Sequence, residues 1–171
     1  MTLSPAVALF LVATLGVDAA VPIESKRKAE AGKFVQAVTI SGKCIKLVHA
    51  GHPVDGCKNI LVNMNYSTGV SAYWFVTDRT VLSFAGDGSR RIEQGSDLVV
   101  QSIERVLLAA KGNDKEDDTR EDDAVGFCRF GNPTKSGMMV ECLAHTQAGL
   151  YEGTFMADGT PPKLETLQIS R

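Results

Sequence analysis

From residue 34 onward, short runs rich in Val, Ile, Leu, Phe, Tyr and Trp are cut by clusters of Gly, Asp, Asn and Pro. They recur about every ten residues, the rhythm of antiparallel β-structure. In "NILVNMNY", Ile60, Val62 and Met64 alternate with Leu61, Asn63 and Asn65, as a strand with one polar face requires. The pattern predicts strands over 34–40, 43–49, 53–64, 69–77, 80–85, 90–94, 98–109, 124–131, 138–146 and 149–157. Asp78-Arg79 and Gly86–Ser89 are turn signals, and the latter contains Asp-Gly, a hairpin dipeptide. Connections this short join antiparallel neighbours, because parallel strands need long crossovers. The expected architecture is all-β, a meander of about eight to ten short strands closed as a small barrel or folded as a sandwich.

One segment is ambiguous. Val99, Ile103, Val106 and Ala110 stand at helical spacing behind a capping Asp97, so a helix over 97–110 competes with a strand. The Val-rich composition and the neighbouring strands favour the strand.

Outside the β pattern the composition changes. Pro5 to Val17 is uncharged and almost wholly apolar, and Val17 and Ala19 suit the −3 and −1 positions of a cleavage site. Residues 1–19 are therefore expected to be a secretory signal peptide, although no Lys or Arg precedes the apolar run. The run is too short for a membrane span, which takes about 20 residues. The charged stretch 20–33 reads as an N-terminal tail, 34–160 as a single domain and 161–171 as a C-terminal tail. Residues 113–123 read as an acidic loop. "GNDKEDDTREDD" holds seven acids and two bases but lacks the turn glycine and ligand offsets of a calcium loop.

The formal net charge of −2 argues against a nucleic-acid partner, which needs a concentrated positive field. No other segment has the length of a transmembrane anchor. Export to a secreted or periplasmic location changes the reading of the four cysteines, because disulfides persist in oxidising compartments. Setting Cys44 opposite Cys57 in a hairpin pairs Lys46 with Asp55 and leaves His49–His52 as a four-residue turn. Setting Cys128 opposite Cys142 pairs Arg129 with Glu141 and Phe127 with Leu143. Both registers join opposite charges or apolar residues, as sheets favour. Zinc fits poorly, because the histidines at the hairpin tip lie about 13 Å from the cysteines at 3.3 Å per residue.

With the thiols spent on disulfides no cysteine nucleophile remains. The third histidine, His145, lies near a strand end, and no catalytic, metal or phosphate-binding motif occurs. The residues best suited to binding are Asn63, Asn65, Tyr66, Ser67, Thr68, Tyr73 and Trp74, where aromatics on both faces of a strand adjoin a hydroxyl-rich turn. Three functions are compatible with this pattern. The first is a non-enzymatic exported protein that engages a protein or glycan through end loops, without a cofactor. The second is a secreted hydrolase with a carboxylate or Ser/His site from separate strands. The third is a carrier of a small apolar ligand, which needs an open interior lined by Phe34, Trp74, Phe84 and Phe130.

Overall fold

Eight antiparallel strands close on themselves in the computed structural model of this chain, which describes residues 34–95, 97–111 and 119–166. The expected signal peptide and N-terminal tail lie outside the described residues. The strands are β1 (Phe34–His49), β2 (His52–Pro53), β3 (Ile60–Tyr66), β4 (Val70–Val76), β5 (Thr80–Asp87), β6 (Ile92–Gln94), β7 (Leu98–Ala110), β8 (Thr119–Phe130), β9 (Met139–Thr146), β10 (Gly149–Ala157) and β11 (Lys163–Glu165). The ring runs β1-β3-β4-β5-β7-β8-β9-β10 and returns to β1. β2, β6 and β11 flank it. It is a barrel, not a sandwich.

β1 closes the ring because it is long. Its first half pairs with β3 and its second half with β10, across a bulge between Cys44 and Lys46. The alternating pattern sends Leu61, Phe75, Leu82, Phe84, Ile103, Val106, Val140, Tyr151 and Phe155 inward, each at most 2% exposed. Eight strands leave an interior that such side chains fill. A smaller apolar cluster packs outside the ring, where Ala37, Met64, Ala72 and Ala85 meet Val62, Tyr66, Trp74 and Leu107. Both disulfides are present, Cys44–Cys57 and Cys128–Cys142. The second has the expected register, with Cys128 opposite Cys142 and Arg129 opposite Glu141.

Residues 97–110 contain β7, the strand that their composition favours over a helix. Several other expectations are corrected. The strands drawn at 34–40 and 43–49 are one, and 53–64 is broken by an irregular stretch between β2 and β3. The Gly86–Ser89 segment does not make a hairpin. Asp87 caps a short 3-10 turn, Gly88–Arg90, and β5 pairs with β7 while β6 flanks β7. The expected acidic loop is not a loop throughout. Residues 119–123 belong to β8, where Arg105 binds Glu121 across the ladder at 2.9 Å, and 113–118 lie outside the described residues. The ladder with β9 begins at Val125, so among the described residues Arg120 to Asp123 have no strand partner on that side. Charged side chains there oppose edge-to-edge pairing with another chain. Within the expected C-terminal tail, β11 pairs with β1 through Ala37–Thr39.

Asp87 gives the clearest pH signature. Its carboxylate accepts from Ser89 N and Oγ at 2.9 and 2.5 Å and from Arg90 Nε at 2.7 Å, which hold its pKa down at about 2. A depressed folded pKa gives stability that is present above the ordinary value of 3.8 and lost as pH falls toward about 2. In a carboxyl-detected NMR titration the Asp87 resonance is expected to move with a midpoint near 2; a midpoint at the ordinary value would show the cap to be open in solution.

Candidate functional site

The two barrel ends are built differently. At the end formed by the β3–β4 turn, Asn63 and Asn65 share the inward face with Leu61. Asn63 Nδ2 donates to Ser71 Oγ at 3.1 Å and to the Ala72 carbonyl at 3.2 Å, and Asn65 Nδ2 donates to Asn63 Oδ1 at 2.9 Å. Arg91 completes the network, donating from Nε to Gln101 Oε1 at 3.1 Å and from Nη2 to Ser71 Oγ at 2.8 Å and Asn65 Oδ1 at 3.2 Å. Gln101, fully buried, donates from Nε2 to the Ser71 carbonyl at 3.1 Å. The Arg91 guanidinium lies over the Phe130 ring, 5.6 Å from its centroid, and Phe130 in turn meets Tyr73 at 5.1 Å.

Among the residues expected to bind, Asn63 and Asn65 thus meet at this end, and Tyr66, Ser67 and Thr68 lie at its rim. Tyr73 and Trp74 part company. Tyr73 is 2% exposed inside the barrel, and burial pushes its phenol pKa up against the opposing influence of Arg91. Trp74 is half-buried in the outer cluster, so it cannot line an interior with Phe84 and Phe130. Arg91 and Gln101 escaped the sequence reading. Gln101 left a signal, a lone amide within an apolar strand, whereas Arg91 in "SRRIEQ" left none.

At the other end lies a cavity of about 560 Å³ between residues 53–56 and 77–80. Its floor is apolar, from Leu47, Val54, Leu82 and Leu108. Local contacts fix its rim. The Cys44–Cys57 disulfide ties the irregular stretch to β1, and Val54 N donates to the Leu47 carbonyl at 2.9 Å. Gly56 adopts φ +74°, and a Cβ there would stand 2.6 Å from the Asp78 carboxylate, so a side chain would crowd the rim. Across the gap, Thr77 Oγ1 accepts from Arg79 N at 3.1 Å and from Thr80 N at 2.8 Å, closing the β4–β5 turn. Asp78 pairs with Lys58, whose hydrogen bond and charge lower its pKa.

Three polar groups at this cavity are not spent on the fold. The Asp55 carboxylate and the Arg79 guanidinium have no ion-pair or hydrogen-bond partner among the described residues, and His49 Nε2 is buried without one. The expected hairpin is corrected in three respects. The turn is only Ala50-Gly51, with φ +50° and +83°, and His49 pairs with His52. Lys46 pairs with Glu152 of β10 at 2.7 Å, not with Asp55. His49 does not point into solvent. Its ring packs on Tyr151 at 5.2 Å, and the buried Tyr151 hydroxyl donates to Asp122 at 3.2 Å. Asp122 also pairs with Arg120 at 3.0 Å. Burial, and then the Asp122 charge, raise the Tyr151 pKa.

His145 stands exposed on the outer face opposite Val125, away from this cavity. Among the described residues no group of three or more His, Cys, Asp or Glu side chains is placed to hold a metal ion, and no helix is long and apolar enough to cross a membrane. No protein-family model matches this sequence, and comparison with curated proteins and with solved structures returns no match.

Proposed function

We propose that this chain is an exported, non-enzymatic binding protein that takes a protein or glycan ligand at the barrel end bearing the Cys44–Cys57 loop. The observation that carries this reading is the cavity itself, with an apolar floor beneath three polar groups that the fold leaves unpaired. Ligand sites are concave, mostly apolar and set with a few convergent polar groups. An unpaired buried nitrogen costs about 1–3 kcal/mol, which a ligand hydrogen bond recovers. The filled interior supports this reading over a carrier of an apolar ligand, since Phe75, Phe84 and Phe155 are fully buried in the inner cluster. Two disulfides suit export, because an oxidising compartment preserves them.

The test uses the protein as bait for envelope and medium fractions, with captured species identified by mass spectrometry and their affinities then measured with purified material. Asp55→Asn combined with Arg79→Gln is expected to fold normally and to weaken binding at least tenfold, about 1.4 kcal/mol. His49→Phe keeps the contact with Tyr151 and removes the orphan nitrogen. Relief of that unpaired nitrogen is expected to stabilise the free protein by about 1–3 kcal/mol while weakening binding. Unaltered affinity in both variants would place the ligand elsewhere.

A further inference from the structure

We propose that the opposite barrel end is a second site, independent of the cavity, in which Arg91 receives a carboxylate. A guanidinium offers five N–H donors in a fixed plane. Three of them are engaged here, all by neutral acceptors, Gln101 Oε1, Ser71 Oγ and Asn65 Oδ1. Both hydrogens of Nη1 are without an acceptor among the described residues, and Arg91 has no carboxylate within 4.0 Å among them. Asp87, at the same end, is spent on Ser89 and Arg90. A permanent positive charge is therefore held in place by the strands and left unneutralised by them.

The placement is that of a receptor and not of a solvated surface arginine. Surface arginines cost rotamer entropy to immobilise, whereas this one is already fixed by three hydrogen bonds and by the Phe130 ring beneath it. Its acceptors are themselves anchored, Gln101 on the Ser71 carbonyl and Asn65 on Asn63. The residue remains exposed, so the free edge of the guanidinium is open to solvent. A planar carboxylate matches two coplanar N–H donors better than a tetrahedral anion does. Such a carboxylate can belong to a uronic acid of a glycan or to an acidic side chain of a protein.

The test is a titration of the full chain, followed by the side-chain amide resonances of Asn65 and Gln101 in ¹⁵N-correlated NMR spectra. Sodium acetate at constant ionic strength, balanced with chloride, is expected to shift both resonances saturably. Arg91→Lys keeps the charge and loses both the planar fork and the bond to buried Gln101, so the thermal midpoint should fall and acetate affinity, measured well below that midpoint on the folded variant, should fall at least tenfold. D-Glucuronate and N-acetyl-glutamate α-amide then separate the two sources: tighter binding of the first assigns an acidic glycan, and of the second an acidic protein segment. Linear, chloride-like responses to acetate would reduce Arg91 to a structural plug. A saturable response to inorganic phosphate without one to acetate would overturn the carboxylate assignment.

Discussion

Phe84→Ala is expected to destabilise the protein by about 3–5 kcal/mol, the cost of emptying a large aromatic site in a closed core. Phe84 is fully buried and meets Phe75 edge-to-face at 5.7 Å, between Tyr73 on β4 and Val106 on β7. Strands closed in a ring cannot slide inward to fill the void. Trp74→Ala is the informative companion. Trp74 is the larger residue, but it is half-buried outside the ring and stacks over small residues that water can reach once it is gone. Its loss should cost about 1 kcal/mol, typical of a partly exposed site. Urea unfolding of both variants measures the difference. Equal losses, or a greater loss for Trp74, would show that the outer cluster carries the fold.

Why the sequence could not rank these two aromatics is a matter of register. "AYWFV" places aromatics on both faces of β4, and only the partner strands decide which face closes on itself. Elsewhere the alternation sufficed. β4, β5, β9 and β10 lie close to where their apolar runs place them, and the Cys128–Cys142 register follows from charge and apolar pairing alone. β7 was obscured by a bulge between Ile103 and Arg105, which shifts the inward set from Val99 and Ile103 to Val106 and imitates a helical period. β1 was divided at Ser41-Gly42, where the run of larger side chains is interrupted. Gly42 faces inward at a crossing so tight that a Cβ would stand 2.1 Å from the Met156 carbonyl. Glycine there allows the strand to coil and the barrel to close.

The acidic run misled for a similar reason. Its composition is that of a solvated loop, yet Glu121 finds Arg105 across the ladder, and the inward Asp122 receives the Tyr151 hydroxyl. Both partners are remote in sequence. The cavity was invisible on the same ground, since it joins residues 53–56 to 77–80 and has no local pattern of its own.

The two disulfides should separate in their effect as clearly as the aromatics. They close loops of nearly equal length, with sequence separations of 13 and 14, so the constraint each places on the unfolded chain is about the same, about 3 kcal/mol. Burial breaks the tie. Cys128 and Cys142 are 0% and 2% exposed within the inner cluster, whereas Cys44 and Cys57 are half-buried at the cavity rim. Replacing Cys128 and Cys142 by Ala removes the cross-link and leaves a gap in the core, for an expected cost of about 5 kcal/mol. Replacing Cys44 and Cys57 by Ala should cost about 2–3 kcal/mol and release the irregular stretch that forms one wall of the cavity. Urea unfolding gives the stabilities. A timed reduction under native conditions, quenched by alkylation and mapped by mass spectrometry, gives the order of opening. Cys44–Cys57 should be reduced first, with the barrel still folded and ligand affinity at the cavity already lost. Cys128–Cys142 should open only on global unfolding, because a reductant cannot reach a sulfur inside a filled barrel. Simultaneous reduction of both bonds, or equal costs for the two double variants, would show that the rim and the core unfold as one unit and would remove the physical basis for treating the rim as a separately adjustable binding element.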